Sequence, residues 1–74
     1  MGKLRVLSGE DVCRILAGHG FVEVRRRGSY IVMQRAGEAS TITVPVPAHR
    51  ELRRGTLRSI IRQSGLDRAV FETE

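Results

Sequence analysis

The sequence predicts an α+β fold in the order α-β-β-β-α: a three-stranded antiparallel sheet with two helices on one face. Two stretches with apolar residues at helical spacing bracket three short runs that alternate with a period of two. An amphipathic pair of helices and a half-buried meander are best satisfied by packing both helices on the apolar face of the sheet. With 74 residues the chain holds one small core, so residues 1–74 read as a single domain with short frayed ends. That length excludes a two-domain enzyme or a large central sheet.

Ser8 and Asp11 resemble a capping box with Asp in place of the usual Glu, and Leu7 and Val12 stand at the positions of a hydrophobic staple. A helix therefore begins at about Gly9. Val12, Ile15 and Leu16 repeat at three and four residues, with Cys13 among them as a small hydrophobe, and Gly18 and Gly20 end the helix. His19, beside that end, is expected to cap helix carbonyls, and Phe21 to anchor the core.

From Phe21 the period becomes two. Val22 and Val24 alternate with Glu23 and Arg25 in a first strand, which breaks at the tight turn Arg27-Gly28-Ser29. Tyr30 to Gln34 forms a second strand, with Tyr30, Val32 and Gln34 on one face and Ile31 and Met33 on the other; residues 36–39 turn the chain. Thr41 to Val44 forms a third, which Pro45 and Pro47 are expected to terminate. After a loop from Pro47 to Arg54, Leu57, Ile60 and Ile61 mark a second helix closed by Gly65. Leu66 supplies the hydrophobic contact of a Schellman-type cap, and Asp67 to Phe71 adds a further helical turn.

If Ile31, Met33, Ile42 and Val44 enter the core, the opposite face of the sheet stays open and carries Tyr30, Val32, Gln34, Thr41 and Thr43. The chain has 13 Lys+Arg against 8 Asp+Glu, a formal charge of +5, and every cation but Lys3 is arginine. Arg25, Arg26 and Arg27, and later Arg50, Arg53, Arg54, Arg58 and Arg62, are expected to form a rim around the open face. Their planar forks suit bidentate phosphate contacts, and together they favour a nucleic acid or an acidic partner. Any one of them alone reads equally well as a solvated charge. The Gly28-Ser29 turn offers backbone amides to a phosphate. His19 and His49 belong to no ligand motif, so no metal and no cofactor is expected, but His49 is a candidate acid or base. A single cysteine cannot form an internal disulfide and no run is long enough to span a membrane, so the chain reads as cytoplasmic.

Gly20-Phe21, Arg27-Gly28-Ser29, Thr43-Val44-Pro45-Val46, Glu51-Leu52 and the block running from Gly55 through Thr56-Leu57-Arg58-Ser59-Ile60-Ile61 to Gly65-Leu66 carry a resemblance over almost the whole chain. It is to the HicA-type toxins, small endoribonucleases of toxin–antitoxin pairs. The resemblance implies a fold like the double-stranded RNA-binding domain, metal-independent cleavage of mRNA, a monomeric free toxin, and neutralisation by a HicB-type antitoxin that covers the active surface. It also implies a catalytic histidine directly after Gly-Ser, where this chain has Tyr30. A phenol titrates at about 10, so only about one part in a thousand is phenolate at pH 7, whereas imidazole at about 6.5 suits both general base and general acid. The expectation is a toxin that keeps the fold, the RNA-facing surface and antitoxin binding but is catalytically impaired. The alternative is a non-catalytic module that binds RNA or sequesters an antitoxin.

Overall fold

Ser8 opens the first helix by the reciprocal bonding its spacing predicts. In the computed structural model, which describes residues 3–72, the Ser8 hydroxyl accepts from the Asp11 amide at 3.0 Å and the Asp11 carboxylate accepts from the Ser8 amide at 3.1 Å. The extreme ends, read from the sequence as frayed, lie outside the described residues. The elements are α1 (Gly9–Ala17), β1 (Val22–Arg27), β2 (Tyr30–Ala36), β3 (Thr41–Pro47), α2 (Arg54–Ser64) and a 3-10 turn at Arg68–Phe71. The strands are antiparallel in the order β1-β2-β3, so the molecule is the α+β, α-β-β-β-α arrangement.

The core lies between the sheet and the helices. Ile31, Met33, Val44 and Val46 meet Val12 and Leu16 of α1, Leu57 and Ile60 of α2, and the rings of Phe21 and Phe71. Each fully buried side chain of this size contributes about 1.5–3 kcal/mol relative to exposure. The N-terminal segment closes the layer. Leu4 and Leu7 are buried, Leu4 bridges Glu72, and the Arg5 amide donates to the Phe71 carbonyl at 3.0 Å. Asp67 caps the 3-10 turn through the Ala69 amide, and this is the further helical turn expected from Asp67 to Phe71.

Three expectations need correction. First, the alternation of Val22 and Val24 with Glu23 and Arg25 does not run unbroken along β1, and both valines are exposed, at 60% and 49%. The pairing of β1 with β2 shifts between Glu23 and Arg25, so Val24 is the extra residue of a bulge and the alternation changes phase there. Phe21 alone buries this edge. Second, Pro45 does not end β3: the strand runs through it and closes at Pro47, with the two prolines paired to Val32 and Tyr30. An edge strand tolerates a missing N–H on its outer side. The opposite hairpin is correspondingly longer, with Ala36 paired to Thr41 rather than turning the chain.

Third, the cap on α2 differs from a simple Schellman motif. Gly65 is left-handed with φ 72° and its amide donates to the Arg62 carbonyl. The Leu66 amide, however, donates to the Ser64 hydroxyl at 3.1 Å, and that hydroxyl donates onward to the Ile61 carbonyl at 2.8 Å. A buried serine is thus inserted into the outer bond of the motif.

Candidate nucleic-acid interface

The β1–β2 hairpin closes on two residues, because Arg27 pairs directly with Tyr30. Gly28 has φ 57° and occupies the first central position, as a type II′ turn prefers. A Cβ there would meet nothing within 4 Å, so the tip of the turn is open to an approaching group. The Ser29 carbonyl accepts from the Ala48 amide at 2.6 Å, which joins the turn to the segment after β3. The next residue is His49, whose carbonyl accepts from the Gly9 amide at 2.9 Å; Leu52 then donates to Leu7 at 2.8 Å. The exposed loop bearing His49 is therefore pinned by its backbone to the hairpin, to the start of α1 and to the N-terminal segment. A side chain at position 9 would collide with the Pro47 carbonyl, so glycine is what allows α1 to start this close to β3.

Strand register sorts the open face into transverse rows, because directly paired residues point to the same side. Arg27, Tyr30 and Pro47 form the row nearest the turn; Arg25, Val32 and Pro45 form the next; Val22, Gln34 and Thr43 form the third. In that third row the Gln34 side-chain amide donates to the Thr43 hydroxyl at 3.2 Å, and Thr41 follows beside Ala36. Tyr30 is 51% exposed. Pro45 and Pro47 join this face unforeseen, although the period of two starting at Thr41 already pointed at them.

Arg26 does not belong to this face. It pairs with Ile31, hence points to the helix side, where its guanidinium meets the carboxylates of Glu10 at 2.7 Å and Glu23 at 3.1 Å. The hydrogen bonds it donates to Glu10 and then to Glu23 raise its pKa, and the first of them holds the Glu10 carboxyl below its ordinary value. The bulge at Val24 is the physical reason: without it Arg26 would share a face with Val22, whereas Arg25 and Arg27 now do.

The remaining arginines of the expected rim lie outside the sheet. Arg50 is exposed in the pinned loop, Arg53 is the N-cap of α2 without a side-chain bond, and the first turn of that helix contains no acidic residue. Arg54, Arg58 and Arg62 are exposed at intervals of four and form a stripe beside the face that buries Leu57, Ile60 and Ile61. The expected single rim is thus two basic surfaces, one on the sheet with Tyr30, Gly28 and Ser29, the other along α2.

The His19 ring bonds the Ile15 carbonyl through Nδ1 at 3.0 Å, the capping role read from its position. Cys13 lines a groove of about 370 Å³ between α1 and β1, together with Glu10, Phe21 and Met33. Burial, followed by the nearby Glu10 and Glu23, pushes its thiol up to about 11, which disfavours the nucleophilic thiolate. Among the described residues no three His, Cys, Asp or Glu side chains are grouped to hold a metal ion, and no helix is long and apolar enough to cross a membrane.

A comparison with curated proteins finds no match. The family model described as the HicA toxin of bacterial toxin–antitoxin systems matches residues 9–66, a span that runs from the first residue of α1 through both hairpins to the serine-relayed cap of α2. Since that span is well over half of the 74 residues, the chain belongs to the HicA toxin family.

Proposed function

We propose that this toxin acts on mRNA in the cytoplasm, that its partner is a HicB-type antitoxin, and that its own endoribonuclease activity is impaired by Tyr30. The observation that carries the reading is the setting of Tyr30: exposed on the open face at the hairpin turn, with Arg27 opposite on one side and Pro47 on the other. Metal-independent RNA cleavage needs a base to take the proton of the 2′-hydroxyl and an acid to protonate the departing 5′-oxygen. An imidazole at this position would do both near neutral pH, and Arg25, Arg27 and the amides of Gly28 and Ser29 would receive the phosphate. A phenol is protonated at that pH and supplies no comparable base.

The antitoxin is expected to cover the same face, meeting the arginines with acidic groups. His49, in the loop pinned beside the turn, is the second candidate for acid–base work. A wholly non-catalytic module is the competing reading, favoured by the missing imidazole.

The test compares cleavage of an mRNA by the native chain and by the Tyr30→His variant, at pH 6 to 8. The variant is expected to cut at least about 100-fold faster, the lower range for restoring a general acid–base group. Equal rates that fall on His49→Ala would move the chemistry to His49. If the variant too cuts nothing, the non-catalytic reading holds.

A further inference from the structure

The open face combines an exposed aromatic ring with unpaired cations and no opposing charge. The register positions on this face from β1, β2 and β3 include no Asp or Glu. Among the described residues neither Arg25 nor Arg27 makes an ion pair, whereas Arg26 on the other side makes two. The Phe21 ring is covered by the Arg35 guanidinium at 4.9 Å; no described cation covers Tyr30. Tyr30, 51% exposed, lies in its row between Arg27 and Pro47, and the next row repeats the pattern with Arg25, Val32 and Pro45. These two rows, unlike the third with Val22, Gln34 and Thr43, each have an arginine at the β1 edge and an apolar floor beside it. The rows stand two residues apart along β2, about 6.8 Å, a spacing that successive phosphates of an extended strand match.

We propose that Tyr30 is a stacking platform for an unpaired RNA base, with Arg27 and Arg25 holding the adjoining phosphates, so that this face takes single-stranded RNA in preference to a duplex. The inference rests on the RNA-binding reading above and names the form of RNA that the face accepts. In an A-form helix the base faces are occupied by their neighbours, and an aromatic side chain has nothing to stack on. In a single strand every base offers its π-face, and the loss of one stacked contact weakens binding substantially. The stacking surface is the ring rather than the hydroxyl, so phenylalanine should serve equally.

The experiment uses the full chain with a short unstructured uridine oligoribonucleotide carrying one 2-aminopurine, and a blunt duplex of the same length. The native chain is expected to bind the single strand more tightly and to quench the 2-aminopurine. Tyr30→Phe keeps both properties, while Tyr30→Ala binds about 5- to 150-fold more weakly without quenching. Arg25→Ala and Arg27→Ala each lower the salt slope by about 0.7. Tyr30 is exposed, and an unchanged circular-dichroism melt checks that each variant is folded.

Native affinity in the Tyr30→Ala variant, or a preference for the duplex, overturns the stacking platform while leaving RNA binding intact. If Tyr30→Ala weakens only the complex with a HicB-type antitoxin, the face is a protein interface and the proposal is overturned. If the native chain binds neither RNA, the RNA reading fails together with it.

Discussion

Glu10 of α1 and Arg26 of β1, sixteen residues apart, are joined by an ion pair of 2.7 Å. The link fastens the first helix to the edge strand. The cation it holds is one that simple alternation would have placed beside Val22 on the open face, and the bulge at Val24 turns it to the helix side.

The pair makes stability depend on acid. The Arg26 hydrogen bond holds the Glu10 carboxyl below its ordinary 4.5, and the Ser8 amide, then the Ser8 hydroxyl, holds Asp11 below 3.8. Protonation is thus harder in the folded state than in the unfolded one. The associated stability is fully present above the ordinary values and is lost as pH falls through the depressed ones. The Tm should fall as pH drops through and below the ordinary carboxylate range, and less steeply for Arg26→Ala. Both groups are exposed, so added salt should flatten the difference. Thermal melts across that range check it, and parallel profiles for the two proteins would contradict the assignment.

Gly9→Ala should destabilise the fold by about 1–3 kcal/mol, because the new methyl meets the Pro47 carbonyl and the Ala48 Cα. The strain falls where α1, β3 and the His49 loop converge, so hydrogen exchange at the amide of position 9 should accelerate with the loss. Gly18→Ala is the control. A Cβ there is no closer than 3.4 Å to the Ile15 carbonyl, and the expected change is neutral to stabilising by at most about 1 kcal/mol.

Ser64→Ala removes the hydroxyl that links the Leu66 amide to the Ile61 carbonyl. With both backbone groups left short of a partner, urea denaturation should register a loss of about 1–3 kcal/mol. A neutral result would mean that the two groups close the direct bond of the Schellman motif once the serine is gone.

Local signals were enough for much of this architecture. The capping box at Ser8, the glycines after α1, the hairpin at Gly28 and the left-handed Gly65 each impose their geometry within a few residues, and each is found as read. What local signals do not carry is which strand lies at an edge and where pairing slips. Proline stops a central strand but not an outer one, so Pro45 and Pro47 changed meaning once β3 proved to be peripheral. The bulge at Val24 has no glycine or proline to announce it. It arises because Phe21 must enter the core while Arg27 must pair with Tyr30, a demand made by both ends of β1 at once. That one slip decided the site as well, sending Arg26 to Glu10 and leaving Arg25 and Arg27 beside Val32 and Tyr30.

The prolines of β3 have a consequence for how these molecules behave in company. Ala48 donates to Ser29, so the even-numbered positions of β3 face β2, and Pro45 and Pro47 fall on the outward ones. Two of the donors that a foreign strand would need are therefore missing from that margin. The opposite margin is kinked at Val24 and crowded with arginines. Neither side is a flat template for extension, and a sheet with one face uncovered is thereby kept from stacking edge to edge into aggregates when the protein is concentrated.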